Sequence, residues 1–207
     1  MNSARPVFSS IAVVGMACWY PGASTLLQLW ENILSRRRQF RSIPKVRLSL
    51  NDYYHPDRTE IDKTYGKRAA VIDGFEFDWI SRRIPLSTFK STDIVHWLAL
   101  EVALEAIGKA GYTRDTVPGE KTGVIVGNSL TGEITRAGTM RLRWPYVKKA
   151  LAAAAKSLNL PDHRIYPIED SLKAYYLSPF PATNEDSLAG GLSNTIAGRI
   201  CNYLNLY

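Results

Sequence analysis

The side chains of this 207-residue chain with the most reactive chemistry are three histidines, two cysteines and a serine in a glycine-flanked loop. His55, His96 and His163 lie far apart, and none has neighbours at metal-ligand spacing, so no metal site is expected. His96 falls in an apolar helical stretch, where a hydrogen-bonded core histidine is the expectation rather than a ligand or base. Cys18 follows an apolar run with no basic partner near it in sequence, and Cys201 falls on a helical stretch. Both are expected to be inert, buried thiols. Two cysteines are too few for a disulfide scaffold, which points to a reduced, cytoplasmic protein. Ser129, in Gly127-Asn128-Ser129, does not complete the G-x-S-x-G nucleophile elbow. Gly15-Met16-Ala17-Cys18 lacks the spacing of a dinucleotide fingerprint, and no P-loop occurs. Spacing alone defines no catalytic constellation.

Charge is the second chemical signal. The formal net charge is +7, and residues 36–68 hold ten Lys/Arg against four acids, or +6. Residues 141–173 add seven bases against three acids, or +4. Such excess raises the potential toward an acidic partner, whether protein or nucleic acid. No nucleic-acid motif accompanies it, and the aromatics do not alternate with bases in a stacking pattern. A basic, non-enzymatic binding module for an acidic protein or nucleic acid therefore stands as the alternative reading. The apolar content of 45% excludes a disordered chain, and no apolar run is long enough to span a membrane. The first ten residues lack the apolar core of a secretory signal.

The elements that must position these groups follow an α/β grammar. Ile11 to Gly15 reads as a strand buried on both faces, and Pro21-Gly22 as a tight turn. Thr25 and Gln28 suggest a capping box, followed by the helical stripe Leu26, Leu29, Trp30, Ile33 and Leu34. Arg36, Arg37 and Arg38 lie at its C-terminal end, where cations complement the macrodipole. Residues 41–90 read as an irregular excursion whose aromatics need burial. A second helix is expected over about 93–110, capped by Thr92 or Asp93, ended by Gly111 and buried nearly all round. Thr122 to Gly127 reads as a second buried strand, leading into a polar loop over residues 128–132. An alanine-rich helix over about 145–158, a loop over 159–187 and a final helix over about 188–204 complete the reading.

Several of these segments carry a family resemblance. Ile11 to Ala23, with the Trp19-Tyr20-Pro21-Gly22 turn, resembles the opening motif of β-ketoacyl synthase domains of type I polyketide synthases. Leu29-Trp30-Glu31-Asn32, the helix Leu98 to Tyr112, the strand Thr122 to Gly127 and Asn194 to Ile200 are similar to later motifs, in the same order. The family usually reads D-P-Q-Q-R before its buried helix, whereas here Asp93 is followed by Ile94-Val95-His96-Trp97. That variant, with Gly127 to Glu133 and Arg141 to Tyr146, is most similar to iterative synthases of the enediyne type.

The resemblance implies a thiolase-like layered α/β/α fold, of which residues 1–207 would be the N-terminal half only, ending before the nucleophile motif. The complete domain would be an acyltransferase that condenses acyl and malonyl thioesters by decarboxylative Claisen chemistry. Its cysteine nucleophile and both catalytic histidines would lie beyond residue 207, so the isolated chain would be inactive, and its unfinished sheet edge would be prone to aggregate. The domain would bind no cofactor of its own, would act as a homodimer, and would receive substrates on the phosphopantetheine of an acyl carrier protein. Leu130 would border the acyl chain. Phe180, within Pro179-Phe180-Pro181, would help floor the pocket of the dimer partner. Arg36, Arg37 and Arg38 would dock the acidic carrier.

Overall fold

The computed structural model describes residues 10–129 and 132–206. Helix α1 (Leu26–Leu34) starts where extended Thr25 accepts the Gln28 N–H on its hydroxyl at 3.3 Å. Gln28 reciprocates one residue earlier than expected, its Oε1 accepting from the Ser24 N–H and hydroxyl. At the far end Arg36 adopts φ 50, in the left-handed region. Its N–H then bonds the Ile33 carbonyl, and the Arg37 N–H bonds that of Asn32. This paired closure satisfies two carbonyls the helix leaves free. The arginine run thus lies just past the last turn.

The described chain divides into two compact units. The first takes in residues up to 76 and Glu101–Val117. Besides α1 it holds helix α2 (Leu50–Tyr53) and an antiparallel pair, β1 (Arg41–Ser42) and β2 (Arg68–Ala69), with Arg41 opposite Ala69. It also holds the second part of helix α4 (Ile94–Lys109), which ends at Gly111 with φ 86, as expected. Trp19 meets Phe75 edge-on at 5.0 Å, so the excursion's aromatics do find packing. Gly15 lies where a Cβ would overlap the Ala106 carbonyl.

The second unit comprises Phe77–Leu100 and residues from Pro118 onward. It contains α3 (Leu86–Lys90), the first turns of α4, α5 (Glu133–Leu142), α6 (Trp144–Ser157), α7 (Asp162–Leu177), α8 (Glu185–Gly191) and α9 (Thr195–Leu204). Pro145 sits in the first turn of α6, where its missing N–H costs nothing. Trp97, Leu100, Ile196, Ile200 and Leu204 form the buried centre. Helix α8 packs on α3 and α5. Gly190 and Gly191 permit that approach, because Cβ atoms there would overlap the Ser91 carbonyl and the Thr135 hydroxyl.

Several expectations are corrected. Ile11 to Gly15 and Thr122 to Gly127 are not in ladders, and Ile11 and Ile125 are 95% and 100% exposed. Apolar runs favour burial between strands, but the ladder among the described residues is the two-residue β1–β2 pair, which neither run joins. Residues 159–187, expected as loop, contain α7, with Pro167 inside it. Proline removes one backbone bond. Packing on α6 and the Lys148–Glu169 ion pair at 2.5 Å hold the helix across it. The final helix is two, broken at Leu192–Asn194, with α8 opened by an Asn184/Ser187 capping box. Helix α4 buries His96, Trp97 and Leu100 rather than its whole circumference.

Candidate functional site

In the second unit a polar cluster forms where α4 begins. His96 is buried, and its Nδ1 accepts from Arg199 Nε at 3.3 Å. A ring that accepts at Nδ1 must donate from Nε2, and its bond with the Leu192 backbone therefore runs to the carbonyl. Burial, reinforced by the Arg199 charge, pushes His96 down to about 4, so the ring is neutral. Arg199 also reaches the Thr92 hydroxyl at 3.4 Å and lies 4.8 Å over the Trp97 ring. The arrangement bears out His96 as a satisfied core histidine.

Asp93 stands beside it and does not cap its own helix. Its Oδ1 accepts the Ile134 N–H at 2.6 Å, in the first turn of α5, where a carboxylate complements the positive helix end. Its carboxylate fills the space that a Cβ at Gly132 would need. Among the described residues Asp93 Oδ2 and Trp97 Nε1 have no partner. The polar loop is tied on its other side by Asn128, whose Nδ2 donates to Ser193 Oγ at 2.8 Å. Residue spacing does not mark half-buried Arg199 or buried Asp93 as anchors of this cluster. Arg199 is one polar residue inside an apolar helix stripe, which is the signal that marks it.

Leu130 lies outside the described residues. Phe180 is half-buried, meets Tyr176 edge-on at 5.5 Å, and its carbonyl accepts from Arg141 Nη1 at 2.8 Å. Next to it, Pro181 lines a cavity of about 220 Å3 walled chiefly by α5 and α8. Arg36, Arg37 and Arg38, in the other unit, line a cavity of about 520 Å3. Cys18 is buried, and burial pushes its thiol up, aided by Glu105, so it is a poor nucleophile. Cys201 is half-buried on α9. No group of His, Cys, Asp and Glu that could hold a metal ion occurs among the described residues.

Comparison with known proteins decides what scaffold these side chains sit on. The family profile described as β-ketoacyl synthase, N-terminal domain, matches residues 8–207. The chain belongs to that family. Among curated ketosynthase-family relatives it is 36% identical over 131 residues to the hybrid PKS-NRPS synthetase pynA of Aspergillus niger, covering 62% of this chain. It is 34% identical over 119 residues, 57% of the chain, to the polyketide synthase PksL of Bacillus subtilis. The chain spans 3% of each of those two proteins. Among solved structures, the oxazolomycin ketosynthase domain OzmH KS7 of Streptomyces albus superposes with TM-score 0.62 at 22% identity, over 94% of this chain and 27% of that one. The ketosynthase from module 6 of the Bacillus subtilis bacillaene synthase gives 0.59 at 25% identity, over 95% and 25%. The fold is thus the thiolase-like α/β fold of ketosynthase domains, as expected.

Proposed function

We propose that this chain is the N-terminal half of a ketosynthase domain, ending before the nucleophile motif. The complete domain condenses acyl and malonyl thioesters by decarboxylative Claisen chemistry, with a cysteine thiolate carrying the acyl group and histidines assisting decarboxylation. What carries this reading is the family match over residues 8–207, nearly the whole chain. The unladdered runs Ile11 to Gly15 and Thr122 to Gly127 are then each a strand whose ladder partners the rest of the domain supplies. On the same reading Leu130 borders the acyl chain, Phe180 helps floor the pocket of a dimer partner, and the phosphopantetheine arm belongs to a carrier protein. The Asp93 to Trp97 variant and the Arg141 to Tyr146 segment favour the iterative enediyne subtype. The enzyme works in the cytoplasm.

Given acyl and malonyl thioesters, the complete gene product should release carbon dioxide in step with β-ketoacyl product, and residues 1–207 alone should form none. Carbon dioxide release without a new carbon–carbon bond in the complete protein would point to a decarboxylase instead. Reversing Arg36, Arg37 and Arg38 to glutamate should slow acyl transfer from the carrier by about tenfold, with little change for a small thioester donor, because steering acts on the charged carrier. Equal slowing with both donors removes the docking role.

A further inference from the structure

We propose that the arginine-walled hollow of the first unit is a binding site for a small diphosphate-bearing molecule. Two cavities of about 650 and 520 Å3 adjoin there and share Tyr20, Pro21 and Gln39. Arg41 and Arg47 line the larger, and Arg36, Arg37 and Arg38 line the smaller. Asp73 is the one carboxylate among the lining residues, so five arginines against one aspartate leave the walls at a net +4. Every lining cation is an arginine, the side chain whose planar fork pairs with phosphate oxygens two at a time.

Arg41 is already oriented. Its Nη2 donates to Gln39 Oε1 at 3.2 Å, Gln39 Nε2 donates to Asn32 Oδ1 at 3.2 Å, and Asn32 Nδ2 donates to the Gly22 carbonyl at 2.9 Å. One N–H is spent on that relay, which leaves the rest of the fork for a ligand. Among the described residues, neither Arg41 nor Arg47 has a carboxylate within ion-pair distance. A lone monovalent anion would leave most of this field uncompensated, whereas a diphosphate brings comparable charge in one ligand. The volumes suit a small molecule, and no nucleic-acid-binding motif accompanies the arginines. The proposed site shares Arg36, Arg37 and Arg38 with the proposed carrier-docking surface, and Arg41 and Arg47 distinguish it from that surface.

Titration calorimetry of the protein with inorganic pyrophosphate tests this. Saturable one-to-one binding is expected, weakened roughly tenfold or more by Arg41→Gln and by Arg47→Gln. Arg41→Lys should fall between wild type and Arg41→Gln, since it keeps the charge and loses the fork, and it guards against misfolding as the cause. Arg58→Gln should leave binding unchanged, since Arg58 is exposed in the same unit, lines neither cavity and stacks on Tyr65. Absence of saturable binding at millimolar pyrophosphate would overturn the proposal. So would an equal loss in Arg58→Gln, or duplex DNA binding more tightly than pyrophosphate with the same arginine dependence.

Discussion

Replacing Trp97 by alanine should cost the protein about 3–5 kcal/mol of stability, the range for deleting a buried aromatic ring. The ring is 1% exposed, stacks on Phe77 at 5.0 Å and leans on Phe89 at 5.9 Å. It also carries the half-buried Arg199 guanidinium on its face at 4.8 Å, so the truncation opens a cavity and removes that cation–π contact. Trp97→Phe should cost much less, because it keeps an aromatic face and removes the buried Nε1 that has no partner among the described residues. Urea unfolding followed by fluorescence of the other tryptophans reads both variants. A loss below about 1 kcal/mol for Trp97→Ala would mean that the ring is not central to this core.

Acidification should destabilise the protein through His96. Its folded value is depressed from 6.5 to about 4 by burial and by Arg199. The unfolded chain therefore takes up the proton first as pH falls. The stabilisation is fully present above pH 6.5, is lost progressively as pH drops toward 4, and amounts to about 3 kcal/mol. The charged group facing this ring is Arg199 on α9, and Asp186 on α8 acts in turn on Arg199. His96→Gln offers an amide oxygen to Arg199 and an amide N–H to the Leu192 carbonyl without titrating. Its stability should be flatter between pH 6.5 and 4, and the difference between the two pH profiles isolates the ring from the carboxylates. Parallel profiles would mean that His96 takes up its proton as readily in the folded protein as in the unfolded chain.

Local signals are most legible where short-range chemistry decides the outcome. Thr25, Pro145 and Gly111 mark helix ends by capping geometry alone, and all three ends fall at the expected residues. Helix α7 is hidden because Pro167 reads as a breaker, whereas tertiary contact with α6 overrides one lost backbone bond. The break before α9 follows from tertiary fit, as Gly190 and Gly191 let α8 sit against Ser91 and Thr135. The two apolar runs show the opposite case. Their composition asks for a sheet, but pairing depends on partner strands that are distant in sequence. Within the candidate site, His96 is legible as a core histidine because it lies in an apolar helix. Its partner Arg199 and the bond of neighbouring Asp93 to Ile134 come from long-range packing, which no spacing rule specifies.

The most direct test of the central claim is to locate the acyl group itself. The complete gene product, treated with an acyl thioester and digested, should carry the acyl mass on a cysteine peptide C-terminal to residue 207, with Cys18 and Cys201 unmodified. Cys18 is buried with its thiol pushed up, and Cys201 lies on a helix ahead of the expected nucleophile motif. Acyl mass on either of these two, with none beyond residue 207, would contradict the assignment of this chain as the N-terminal half of a condensing domain.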